Sequence, residues 1–167
     1  MQLLPDNIKV VAATPVTRGT AATGDLVCLK GYAKAMCLID IVTGADDTEF
    51  TFTVDKSTDV SASVVSTGIT LNNFWTLMNI VSATPATHAM TKGTAAASIV
   101  TVTDQSKSHR VIIDIDAAEL PDSSYDYDCV RLVVAGGNAA HTYSAQWILY
   151  NPRYAREQAG MLSAIAD

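Results

Sequence analysis

The residues able to do chemistry in this 167-residue chain are few and scattered. Its three histidines, His88, His109 and His141, stand far apart. Nucleophilic catalysis needs a Ser or Cys activated by a His that a third group orients, and no G-x-S-x-G elbow occurs. Surface or loop-edge positions are expected for all three. The cysteines, Cys28, Cys37 and Cys129, are odd in number and widely spaced, a poor disulfide framework, and no C-x-x-C pair points to zinc. Each lies in apolar, strand-like sequence (LVCLK, AMCLI, DCVRL), where a thiol packs as a small hydrophobe. Lys92-Gly93-Thr94 echoes a phosphate loop. It lacks the upstream glycine spacing and the strand-then-helix setting that let backbone N–H groups cradle phosphate, so it reads as a turn.

Asp114 and Asp116 alternate with isoleucines, which puts both carboxylates on one side of a strand, about 7 Å apart. Such a pair suits Ca²⁺ binding or glycoside hydrolysis. Solvated charge on the outer face of a strand end accounts for it with fewer assumptions. Asp46-Asp47 beside Gly44 is turn chemistry. A carbohydrate site would offer exposed aromatics. Trp75, Trp147, Tyr125 and Tyr127 are the candidates, although Trp147 lies on an apolar face and reads as core. No catalytic, metal or cofactor constellation emerges, and the expectation is a protein that is not an enzyme and carries no cofactor.

Composition narrows the class further. Eleven Lys+Arg stand against 17 Asp+Glu, for a net charge of −6. The acidic balance and the lack of basic clusters argue against a nucleic-acid partner. Charged residues are 17% of the chain, below the roughly 25% typical of soluble domains. Hydrophobic residues reach 49% but aromatics only 7%, so the apolar content is mostly small Ala and Val and excludes a disordered chain. No uncharged apolar run is long enough to span a bilayer, and no membrane partner is expected. The N-terminal MQLLPDNIKVV lacks a basic region followed by an apolar one, so synthesis in a reducing cytoplasm is expected.

Any acting residues must be positioned by strands, because the apolar period is two. Phe50, Phe52 and Val54 share a face, as do Val111, Ile113 and Ile115, then Val130, Leu132 and Val134, then Tyr143, Ala145, Trp147 and Leu149. AKAMCLIDIV is apolar on both faces, as a strand central to a sheet should be. Further strands are expected in IKVVAAT, LVCLK, ASVVSTGITL, FWTLMNIV and ASIVTVT, with turns at Gly44-Ala45-Asp46-Asp47, Asn72-Asn73, Lys92-Gly93 and Gly136-Gly137-Asn138. The prediction is an all-β single domain over 1–167, an antiparallel β-sandwich or jelly roll of about 8–10 strands. Residues 1–24 read as an N-terminal arm, and TPVTRGTAATG and SATPATHAMTKGTAAAS as surface loops or edge arms. Asp116-Ala117-Ala118-Glu119 has capping-box spacing and predicts one helical turn between strands. After Asn151-Pro152, residues 152–167 read as a short C-terminal helical tail with Tyr154, Met161, Leu162 and Ile165 on one side. Such a helix is marginal alone and must fold back onto the sandwich or dock on a neighbour, which makes those four the candidate interface residues.

The segment from Val111 to Tyr154 resembles small structural proteins of tailed bacteriophages. Asp114, Asp116 and Leu120 match a "D-hydrophobic-D-x-x-x-L" strand end. Tyr125, Tyr127, Val130 and Arg131 match an aromatic-x-Tyr, Val-Arg strand, and Leu149, Tyr150, Arg153 and Tyr154 a closing aromatic step. CLIDIVTGADDTEFTFTVDKSTD is similar to the central hairpin of the same proteins, followed by a polar K-x-(S/T)-D turn. Together these cover about half of the chain. The resemblance is to head decoration (cement) proteins with jelly-roll folds. It implies a virion structural protein on the capsid surface that binds the major capsid protein and itself, as a homodimer or homotrimer. Tail, neck or fibre-base proteins of the virion, and a carbohydrate-binding jelly-roll module, are the alternatives.

Overall fold

The computed structural model describes residues 8–18, 21–42, 49–77, 89–101, 108–137 and 141–153. In chain order the strands are β1 (Lys9–Arg18), β2 (Ala22–Thr23), β3 (Val27–Cys28), β4 (Tyr32–Val42), β5 (Phe50–Ser57), β6 (Val65–Ser66), β7 (Asn73–Leu77), β8 (Thr91–Lys92), β9 (Ile99–Thr101), β10 (Ser108–Asp116), β11 (Cys129–Gly136) and β12 (Thr142–Pro152). One sheet runs β1-β12-β4-β10-β7-β8. In the other, β2 and β3 share one edge of β11, β5 lies on its far side, and β6 and β9 share the outer edge of β5. All these pairings are antiparallel.

This is a jelly-roll order. With β2 and β3 as one interrupted edge strand and β7–β9 set aside, the chain crosses between the sheets at every step but the one from β5 to β6. The first and last strands lie side by side, β1 on β12. The expected sandwich is therefore present, and AKAMCLIDIV is indeed central, held between β12 and β10.

Alternation decides which side chains meet between the sheets. Ala35, Cys37, Ile39 and Ile41 of β4, Val111, Ile113 and Ile115 of β10, and Tyr143, Ala145, Trp147 and Leu149 of β12 are buried from one side. Phe50, Phe52 and Val54 of β5 and Val130, Leu132 and Val134 of β11 are buried from the other. The Tyr143 ring meets Phe50 and Phe52 edge-on, with centroids 5.4 and 6.4 Å apart. Burial of each large side chain stabilises the fold by roughly 1.5–3 kcal/mol.

Two glycines permit close approaches. A Cβ on Gly24, between β2 and β3, would sit 2.1 Å from the Ala13 carbonyl oxygen of β1 in the other sheet. Gly136 has φ +77, and a Cβ there would lie 2.4 Å from the Glu49 carbonyl oxygen. Both would be blocked by any larger residue.

Several local expectations change. LVCLK keeps only Val27–Cys28 as strand. Leu29 N–H still donates to the Asp128 carbonyl, but Gly31 at φ 97 turns the chain toward β4. ASVVSTGITL contributes only Val65–Ser66. His109 and His141 are buried, not at the surface. They continue the inward parity of Val111–Ile115 and Tyr143–Leu149, and the His141 ring lies 5.6 Å from Phe50. His88 lies outside the described residues. The turn at 116–119 forms as a 3-10 helix over Ala117–Glu119, capped by the Asp116 carboxylate, which accepts from Ala118 N–H at 2.9 Å. Among the described residues no α-helix occurs. The proposed C-terminal helix and its candidate interface residues Tyr154, Met161, Leu162 and Ile165 fall outside the described residues, as does Asp46-Asp47. No helix among the described residues is long and apolar enough to cross a membrane.

Candidate functional site

The carboxylates singled out by spacing do share one side of β10, both half-buried, Asp114 between buried Ile113 and Ile115 and Asp116 between buried Ile115 and Ala117. Antiparallel register sets Asp114 beside Met36 and Asp116 beside Lys34, with Tyr150 on the far side of Lys34. The Tyr150 hydroxyl donates to Asp114 Oδ1 at 2.5 Å. Lys34 Nζ lies 3.6 Å from Asp114 and 3.8 Å from Asp116. Burial, and then the Asp114 carboxylate it faces, push the Tyr150 hydroxyl above the ordinary phenol range. Both acids are thus engaged by the protein itself: one braces β12, the other caps a turn. Their arrangement is that of a strand-end brace.

A second brace closes the same end from the other sheet. Lys56 of β5 donates to the Leu120 carbonyl at 2.8 Å and to Asp122 Oδ2 at 3.0 Å, and stands 4.2 Å over the Tyr127 ring. Tyr127 in turn meets Tyr125 edge-on at 5.7 Å. Asp122 accepts from the Ser124 and Tyr125 N–H groups, and these bonds, Ser124 first, hold its carboxyl below the usual range. The K-x-(S/T)-D stretch closes β5 with Lys56 and Ser57 and leads into a turn built on Asp59, whose Oδ1 accepts from the Ser61 and Ser63 N–H groups. A cleft of about 350 Å³ opens between the two braces, lined by Lys56, Ser66, Thr70, Asp114, Glu119 and Leu120 among others.

Farther along, Arg131 and Asp55 are direct cross-strand partners. Arg131 donates through Nε and one terminal nitrogen to Asp55 Oδ2 at 3.1 and 3.0 Å, and Gly68 N–H donates to Oδ1 at 3.1 Å. Asp55 is only 4% exposed, although its parity points outward. The loop at Gly68 folds over it. Sequence parity found the side of the sheet but not this covering loop. Lys34 and Lys56 were also missed, because a lysine in a strand carries no signal for what lies across it.

The outer face of the six-stranded sheet with β4 at its centre is apolar. Register sets Val10, Ile148 and Met36 in one row. The next row holds Leu38, Ile112 and Trp75, with Gln146 on one side and Lys92 on the other. Val10, Gln146 and Lys92 are exposed, and Met36, Leu38, Trp75, Ile112 and Ile148 half-buried, on the side away from the core. Charge fringes this stripe: Arg110 and Asp40 pair at 2.6 Å on one side, and Lys34 with Asp114 and Asp116 on the other. Of the four candidate sugar-stacking aromatics, Trp147 is core, Trp75 belongs to this stripe beside Lys92, Tyr127 is buried under Lys56, and Tyr125 is exposed.

Cys37 is a buried core residue, as expected for a small hydrophobe. Cys28 and Cys129 are not isolated: they are direct partners between β3 and β11. Their sulfurs and an Asp128 carboxylate oxygen lie within 4.8 Å of one another. The Asp128 carboxylate is already engaged, by Lys30 Nζ at 3.2 Å and by the Cys129 thiol at 3.1 Å. That leaves two sulfurs as free donors, short of the four ligands of a closed zinc site.

No family model matches the chain, and no curated protein matches it in sequence at a significant level. Among solved structures it is similar to the SPBc2 prophage-derived protein YomS, with a TM-score of 0.46 and 9% identity, over 86% of this chain and 92% of that one.

Proposed function

We propose that this chain is a non-enzymatic bacteriophage virion structural protein, a capsid decoration (cement) protein that stabilises the head by binding between major capsid protein subunits. The observation that carries this reading is the apolar outer face made by Val10, Met36, Leu38, Ile112, Ile148 and Trp75. A sheet face of this kind, rimmed by charge, is an interaction surface. A cement protein works by burying area between neighbours and needs a rigid body to do so. The residues that carry the resemblance supply rigidity: Asp114, Asp116 and Tyr150 form one brace, Tyr127 sits in a second with Lys56, and Arg131 holds Asp55. Self-association as a homodimer or homotrimer would give the protein a symmetry axis to match a symmetric shell.

Quantitative mass spectrometry of purified particles tests the reading. A copy number comparable to that of the major capsid protein supports decoration of the head. A much smaller number moves the protein to the tail, neck or fibre base, and absence from particles overturns the virion assignment altogether.

A further inference from the structure

We propose that Cys28 and Cys129 are a covalent modification site, a dithiol that a small disulfide such as oxidised glutathione converts into a Cys28–Cys129 cross-link between β3 and β11. The inference goes beyond the virion role and does not depend on it.

Position comes first. Directly opposed residues of an antiparallel pair have Cα atoms about 4.5–5.5 Å apart, inside the roughly 4.4–6.8 Å that a disulfide spans. Cys28 and Cys129 are such a pair, with their sulfurs close. Their neighbours Val27 and Val130 are buried in the core, so alternation turns the two thiols to the opposite side of the sheet. Cys28 lies on a two-residue edge strand and is partly exposed, whereas Cys129 is buried behind it. A soluble disulfide therefore meets Cys28 first.

The surroundings divide the labour between the thiols. Lys30 N–H donates to Cys28 Sγ at 3.4 Å. The Cys129 thiol, then this N–H and the Lys30 charge, bring Cys28 down to about 7 against burial and the Asp128 charge. A thiolate is the attacking species in disulfide exchange, and one titrating near ambient pH attacks fastest. Cys129 is pushed the other way, by its bond to Cys28, by burial and by Asp128. It needs a base, and its thiol donates to Asp128 Oδ1 at 3.1 Å.

The chemistry balances in two steps. The Cys28 thiolate attacks one sulfur of oxidised glutathione, whose S–S bond breaks, and one glutathione leaves as thiolate. Asp128 takes the Cys129 proton as that sulfur attacks Cys28 Sγ. The mixed disulfide breaks, the second glutathione leaves as thiolate, and Asp128 gives up the Cys129 proton to solvent, from which the two glutathione thiolates take up the two protons that Cys28 and Cys129 released. Two protein thiols are oxidised to one disulfide, and one oxidised glutathione is reduced to two thiols.

The test uses the full chain incubated with oxidised glutathione, quenched, unfolded, alkylated and mass-mapped. The expected result is one alkylated cysteine, Cys37, and a linked peptide pair carrying Cys28 and Cys129. Cys129→Ser should stop at a glutathione adduct on Cys28, and Cys28→Ser should give neither adduct nor cross-link. Asp128→Asn should slow resolution about tenfold, so that the adduct accumulates. The proposal is overturned if the wild-type chain keeps three alkylatable thiols, if the adduct persists on it unresolved, or if Cys37 is the partner. The wild-type readings need no variant to fold.

Discussion

At the centre of the six-stranded face around β4, the outward side chains are Met36, Leu38, Ile112 and Ile148. At the centre of the opposite face they are Thr51, Thr53, Asp55 and Arg131, with Val133 as the apolar member between Thr53 and Thr23. The inward rows of the two sheets are alike, apolar in both, because they fill one core. The outward rows differ, and so does what the described residues place over them. Over β5 and β11 the chain supplies its own cover, with the Gly68 loop bonded to Asp55. Over β4 and β10 the described residues supply none. Inward parity reports the fold, and the departure from polarity on one outward face is what the proposed interaction rests on.

The contrast can be broken most forcefully from inside. Trp147→Ala empties the core beneath the apolar face and should cost about 4 kcal/mol, read as a shift of the urea midpoint with an unchanged slope. A loss below about 1 kcal/mol would mean that Trp147 is not the core residue described. Arg131→Ala leaves the Asp55 carboxylate buried without its charge partner. It should cost about 3 kcal/mol, and a null result would mean that the Gly68 loop opens and lets water in.

The outer face should behave in the opposite way. Leu38→Ser and Ile112→Ser should change stability by less than about 1 kcal/mol while weakening attachment to particles by about tenfold or more, measured by co-sedimentation with undecorated heads. Equal attachment by wild type and variants would remove the apolar face from the interface. Thr51→Ser and Thr53→Ser, on the other sheet, should leave attachment unchanged.

Smaller effects sharpen the strand-end brace. Tyr150→Phe removes a bond to a charged acceptor and should cost about 1–2 kcal/mol. Because the folded Tyr150 is raised, the unfolded phenol loses its proton first as pH rises. The contribution is therefore complete below about pH 10 and declines above it. Tyr150→Phe should flatten that alkaline limb. At the acid end, Asp59 is held low by the Ser63 hydroxyl and N–H, and Asp122 by the Ser124 N–H. Their contribution is present above about pH 4 and lost as pH falls, because the unfolded chain takes up protons first. Both are exposed, so this is the smallest effect, visible as a shallow slope that Asp59→Asn reduces.

Much of this was legible in the residues themselves. Alternation in EFTFTVD, HRVIIDID and TYSAQWILY named the core side of β5, β10 and β12, and extended by one step it would also have placed His109 and His141 inside. The two-sided apolar run in β4 marked the centre of its sheet, and it already held Met36 and Leu38 of the outward stripe. The Asp116–Glu119 spacing marked the capped turn. These features are local: period, propensity and capping act within a few residues.

What the chain alone could not disclose is which strands become neighbours. Cys28 and Cys129 lie on the order of 100 residues apart in sequence, a separation over which spacing carries no information on pairing. The same holds for Arg131 with Asp55, Tyr150 with Asp114, and Lys56 with Asp122. Each is made by register between distant strands, and shifting one strand by a single residue would turn its side chains to the other face. Composition and alternation determined that this is a thin, sparsely charged sandwich. Only the jelly-roll order decided which thiols meet, which charges are braced, and which side chains line up as one apolar outer face.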